Sequence, residues 1–176
     1  MAANSGTTPG NQQPPATLPL MPIDCANGSY GGQAFTDCDK KQICAKCDEV
    51  NKQAAAGQLQ RQTVSGTDLA TEKANAQAAI RDAFEIAIRD GMFGPAEIKA
   101  AMYDDCAYEE QWKPKKDPGF RDPMFDPDHV HEVQLGGLPA SQSNFKWMAA
   151  GPNRWMGRQL QEYDSSKHSG VAPNCC

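Results

Sequence analysis

The residues best suited to chemistry fall within one stretch, from Asp126 to Tyr163. An acid-histidine pair, Asp128-His129, stands ahead of Gly136-Gly137; Asn144 follows, and Asn153 opens a helix-like segment. An imidazole, with an unperturbed pKa near 6.5, is neutral often enough at physiological pH to take a proton from water. A carboxylate and an amide oxygen are the hard donors a small divalent cation prefers. The combination points to metal-assisted hydrolysis. His131 lies two residues past His129, so on a strand both would face the same way. It would then assist, bind metal or act as the base itself, whereas Glu132 would face the other way and be structural.

Val130, Val133 and Leu135 read as a short strand, with Gly136-Gly137 permitting a sharp turn after it. A second strand is expected around Asn144-Phe145-Lys146-Trp147. Gly151-Pro152 then stops the chain, and a helix follows with Met156, Leu160 and Tyr163 on one face. The order is β-β-α, with His129 on the first strand and Asn153 at the helix start.

The pattern D-H-V-x-x-x-x-L-G-G, then N-F-K-W, then N-R-x-x-G resembles the HNH, or His-Me finger, nuclease motif. It departs from the common form in having Asn153 where many members have His and Glu132 where many have Pro. By position, the resemblance implies His129 as general base, Asp128 and Asn153 as ligands of one divalent cation, and Asn144 as the brace of the loop that aims His129. Mg²⁺ is the expected ion, with Mn²⁺, Ni²⁺ or Zn²⁺ as alternatives. The D-H-V-H-E and L-G-G elements are similar to C-terminal warheads of bacterial polymorphic toxins and type VI secretion effectors. That likeness implies a DNA substrate, a cognate immunity protein, a secretion apparatus or larger parent chain, and action in a recipient cell's cytoplasm.

The remainder must position this stretch. Residues 1–23 carry no charge and are rich in Pro, Gly, Gln and Thr, as a disordered linker would be. Residues 24–110 are expected to be a helical, cysteine-containing scaffold. One helix starts near Asp39, with Ile43, Cys47, Val50 and Ala54 on its buried face. A second carries Ile80, Ala83, Phe84, Ala87 and Ile88 and stops at Gly91; a third opens at Gly94-Pro95 with Ile98, Met102 and Cys106 at steps of four. Residues 111–176 hold the nuclease-like core and a tail, and 24–176 are expected to form one compact α+β domain. No apolar run approaches the roughly 20 residues of a membrane span, and the N-terminus has no signal-peptide pattern.

The formal charge of −5 is unevenly spread. Through Glu110 there are 9 Lys and Arg against 15 Asp and Glu; beyond it there are 8 against 7. Lys115, Lys116 and Arg121, in a proline-rich segment before the site, and Lys146 and Arg154 within it are the candidate phosphate contacts. Seven cysteines cannot all pair internally. Cys25, Cys38, Cys44 and Cys47 cluster in sequence, as disulfide partners, structural zinc ligands or free buried thiols. The competing reading is therefore a zinc-stabilised protein-binding module without catalysis. A further alternative is the same fold acting on RNA.

Overall fold

Thr36 opens the first long helix, α1 (Asp37–Ala55). Its hydroxyl accepts from the Asp39 amide at 3.1 Å, and the Asp39 carboxylate accepts from the Thr36 N–H at 3.0 Å. This computed structural model describes residues 18–61, 67–112 and 125–176. Ile43, Cys47 and Val50 are buried along α1, and Ala54 packs beside them. Lys46 is buried on the same helix.

The second helix, α2 (Thr67–Arg89), ends at Gly91, whose φ of +71° favours glycine. The third, α3 (Pro95–Ala100), is shorter than the spacing of four implies. Met102 and Cys106 lie beyond it, because the chain leaves the helix at Ala101 to reach the sheet. The Ala101 carbonyl accepts from the Trp147 N–H at 2.7 Å, and the Trp147 carbonyl accepts from the Tyr103 N–H at 3.2 Å. A single π-helical turn, Ala107–Trp112, closes this region.

Short strands β1 (Met21–Ile23), β2 (Ser29–Tyr30) and β3 (Gln33–Ala34) precede α1. After α3 come β4 (Phe125–His129), β5 (Phe145–Ala149), the helix α4 (Ala150–Leu160) and β6 (Val171–Pro173). The described strands pair in twos: β1 parallel with β6, and antiparallel pairs β2–β3 and β4–β5. Mixed helix and sheet is thus the class, as expected. The expected linker of residues 1–23 does not extend to its last residues: Met21–Ile23 is paired in β1, and Ile23 is buried. Residues 1–17 lie outside the described part.

The expected first strand over Val130–Leu135 is displaced. The strand is Phe125–His129, and Val133–Leu135 forms a 3₁₀ turn. Both valines and Leu135 are apolar, but the run is too short for its period to separate strand from turn. α4 follows β5 without a loop, so Gly151 and Pro152 lie inside its first turn. Proline is tolerated there because first-turn amides have no intrahelical acceptor.

Successive residues of β5 serve two cores. Met148 packs with Ile43, Cys47, Met156, Leu160 and Tyr163, whereas Trp147 and Ala149 pack with Phe84, Ile98, Met102 and Phe125. α2 lies along β4, with Gln77 donating to the Pro127 carbonyl at 2.9 Å and Arg81 to that of Phe125 at 3.2 Å. Four helical residues rise about 6 Å and two strand residues about 6.7 Å, so the two side chains match alternate carbonyls.

Cys25–Cys175, Cys38–Cys106 and Cys44–Cys176 are disulfides, and Cys47 is free and buried. Cys25, Cys38, Cys44 and Cys47 therefore do not form a joint zinc site; three of them bond to cysteines far along the chain. Cys44 and Cys47 lie one turn apart on α1, but Cys47 is buried in the core while Cys44 meets the C-terminus.

Candidate active site

Asp126 and Asp128 are two residues apart on β4 and so share a face. Both line a cleft of about 400 Å³ together with Glu132, Asn153 from the first turn of α4, and the cations Lys73, Arg81, Arg154 and Arg158. Asp126 is fixed by Arg154 at 2.9 Å and Arg81 at 3.4 Å.

Asp128 sits at the centre of a buried polar network. Lys46 Nζ contacts its Oδ2, and also reaches Glu132 Oε1 at 2.5 Å and the His129 carbonyl at 3.1 Å. The Tyr103 hydroxyl donates to the same Asp128 oxygen at 2.7 Å. Burial raises the Asp128 carboxyl to about 6, with Lys46 opposing and Glu132 reinforcing the rise. Burial also disfavours ionised Glu132, but Lys46 and Lys73 outweigh it and hold that carboxyl below its ordinary value. Burial works against the charged Lys46, yet the two carboxylates keep its pKa raised. Burial, and then Asp128, push the Tyr103 phenol well above its ordinary value, so it remains a donor.

His129 is 1% exposed and is not among the residues lining that cleft. Its ring lies against Phe145, its partner across the β4–β5 ladder, with centroids 4.3 Å apart. Nε2 is 3.1 Å from the Pro139 carbonyl, which can only accept, so Nε2 carries the proton and Nδ1 presents a lone pair. Among the described residues Nδ1 is buried without a hydrogen-bond partner. Burial lowers the pKa of the ring to about 4 despite the Pro139 contact, which keeps it neutral at physiological pH.

Asn144 spans the turn between the strands. Its Oδ1 accepts from the His131 N–H at 2.7 Å, and its Nδ2 donates to the His131 carbonyl at 2.9 Å and to that of Leu138 at 3.3 Å. Gly137 is fitted to the same turn, since a Cβ there would lie 1.9 Å from the His131 carbonyl oxygen. Gly136 has φ +107°.

His131 does not share a strand face with His129, because β4 ends at His129 and the chain bends. Its Nε2 instead meets the Leu135 carbonyl at 3.1 Å. Glu132 is structural in the sense that it holds Lys46, but it lines the cleft as well. Lys146 pairs opposite Asp128 and lies 5.5 Å over the Tyr103 ring, outside the cleft lining. Arg154 is in the cleft; Lys115, Lys116 and Arg121 lie outside the described residues.

Lys46 and Tyr103 were missed by sequence reasoning. Lys46 had a legible signal: it falls three residues after Ile43 and four before Val50, inside an apolar stripe. Tyr103 had none, since its place depends on the chain joining the β5 edge. Asp126 was not assigned a role, because the expected strand began too late to place it on the same face as Asp128.

The oxygens of Asp128 and Asn153 fit a hard cation, which keeps several of its own waters. Lys46 balances one of the two buried carboxylates, so the Asp128–Glu132 group remains net negative when both are ionised. A different set of sulfurs lies where the C-terminus meets α1: those of Cys44, Cys175 and Cys176 are all within 4.8 Å of one another, but each is in a disulfide and could bind a metal only as the reduced thiolate. Among the described residues no helix is long and apolar enough to cross a membrane. Compared with protein families, curated proteins and solved structures, the chain matches none of them.

Proposed function

We propose that the chain is an HNH-type, metal-dependent endonuclease that hydrolyses DNA phosphodiester bonds. The observation that carries this reading is one cleft in which Asp128, from β4, and Asn153, from the first turn of α4, are rimmed by Lys73, Arg81, Arg154 and Arg158. Cationic side chains around a phosphodiester supply affinity without reading sequence.

Asp128 and Asn153 would hold a divalent cation, Mg²⁺ in the first instance, which when bound polarises the phosphate and offsets charge on the leaving oxygen. Tyr103 and Lys46 keep the Asp128 carboxylate oriented. His129, held in one tautomer by Pro139, takes the proton of the attacking water on Nδ1. For that step the 136–141 turn over His129 has to admit water, and Asn144 sets how that turn sits. Arg154 and Arg158 bind the phosphate on the α4 side of the cleft.

The resemblance extends the proposal to an antibacterial effector domain, delivered into a recipient bacterium and neutralised in the producer by an immunity protein. The test is incubation of purified protein with supercoiled plasmid and Mg²⁺ or Mn²⁺. Nicking and linearisation by the wild type, lost in His129→Ala, support the reading; intact plasmid with folded, metal-supplied wild type refutes it. A parallel incubation with RNA separates the two nucleic-acid substrates. The non-catalytic alternative draws on the same network: Lys46 already occupies Asp128, and His129 is buried.

A further inference from the structure

We infer that Cys25, Cys44, Cys175 and Cys176 form one sulfur cluster with two alternative closed states, a pair of disulfides and a four-thiolate site for a soft divalent cation such as Zn²⁺. Cys25–Cys175 and Cys44–Cys176 are bonded, and the two bonds lie side by side, with Cys44 Sγ 3.8 Å from Cys175 Sγ. Zinc–sulfur bonds of about 2.3 Å in a tetrahedron place sulfurs about 3.8 Å apart. Cys44, Cys175 and Cys176 are already within 4.8 Å of one another, and Cys25 is one bond from Cys175. Three of the four sulfurs are therefore near the required spacing before any metal enters, and Cys25, once freed from Cys175, has to swing toward Cys44 and Cys176 to complete the set.

The backbone around them is held independently of the bonds. β6 pairs with β1, the Asn174 N–H donates to the Ile23 carbonyl at 3.0 Å, and Asn174 Oδ1 accepts from the Ala26 N–H at 2.9 Å. Asn51 of α1 accepts from the Val171 N–H at 2.7 Å and donates to its carbonyl at 3.0 Å. Reduction thus leaves the thiols facing one another. Each disulfide takes two electrons and two protons from a dithiol reductant, which closes to its own cyclic disulfide. The four thiols then release four protons as they bind one Zn²⁺. Cys44 lies two residues before Lys46 on α1, so either state anchors the helix that holds Asp128. The cluster would keep the chain closed both in an oxidising space and in a reducing cytoplasm. The cluster does not depend on the nuclease reading.

The test uses the full chain carrying Cys38→Ser and Cys106→Ser, which removes the third disulfide and leaves Cys47 as the sole outside thiol. The protein is reduced with a dithiol, desalted under inert gas and titrated with Co²⁺, while circular dichroism follows its helix content. The expected result is one Co²⁺ per chain, with the visible bands of tetrahedral thiolate ligation, displaced by Zn²⁺. Those bands should disappear when Cys175→Ser and Cys176→Ser are added. If reduction alone unfolds the chain, the bands should appear together with recovered helix. Absent bands, bands that survive the loss of Cys175 and Cys176, or bands in a chain that stays unfolded would overturn the inference.

Discussion

Lys46 Nζ lies on Asp128 Oδ2, joining the middle of α1 to the acid that precedes His129 across 82 residues of sequence. Both side chains are almost wholly buried, and Glu132 shares the ammonium. Removing one partner of such a group strands charge in a dry interior, which costs about 3–5 kcal/mol. Lys46→Met should therefore lower unfolding stability by that amount, measured by denaturant titration. A loss under about 1 kcal/mol would show that the network is open to water.

The pH dependence follows from two neighbouring groups acting in opposite directions. The His129 ring takes its proton near pH 6.5 when unfolded but only near 4 when folded, so its contribution to stability is lost as pH falls through that window. Folded Asp128 takes its proton near pH 6, against 3.8 for the ordinary carboxyl, so its contribution grows as pH falls from about 6 to 4. In metal-free buffer the two oppose each other between pH 6 and 4. His129→Gln should remove the opposing contribution and make stability rise more, or fall less, with acidity than in the wild type. An unchanged profile would remove His129 from the balance.

Gly137 has no room for a methyl group beside the His131 carbonyl. Gly137→Ala should cost about 1–3 kcal/mol, the usual range for overpacking, and should weaken the turn that carries Pro139 over His129. Amide exchange at His131, whose N–H is held by Asn144, should quicken in the variant. Unchanged exchange would mean that the turn absorbs the methyl elsewhere.

Cys47 is the free thiol, and burial pushes its pKa up to about 12. A maleimide should leave the native, unreduced protein unlabelled, and the denatured, unreduced protein should take one label by mass spectrometry. Labelling under native conditions, or more than one label after denaturation, would contradict the pairing of the other six.

The sequence carried its strongest information where the period was long. The apolar stripe on α1, the arrest of α2 at Gly91 and the Met156–Leu160 face of α4 all depend on local spacing, and all are seen in the structure; Tyr163, expected on that face, lies beyond the end of α4 but packs in the same core. β4 was misplaced because Val130–Leu135 is too short for its apolar residues to distinguish a strand from a 3₁₀ turn. The cysteine pairing was illegible because all three bonds link distant segments. For the site, Asp128 and Asn153 were found from their types and order and do share a cleft. His131 was assigned a shared face by strand geometry that ends two residues before it. Lys46 and Tyr103 are joined to Asp128 only by tertiary packing, and of the two only Lys46 left a trace, a charge inside an apolar stripe.

The most direct test compares plasmid cleavage by the wild type, Asp128→Asn, Asn153→Ala and His129→Ala with Mg²⁺ or Mn²⁺, each variant first shown to be folded. Wild-type cleavage abolished by chelation, and reduced about 100-fold or more by His129→Ala, is the predicted result, since a general base contributes about 10²–10⁴ in rate. Cleavage that persists at the wild-type rate in all three variants, or no cleavage by folded, metal-supplied wild type, would contradict the account.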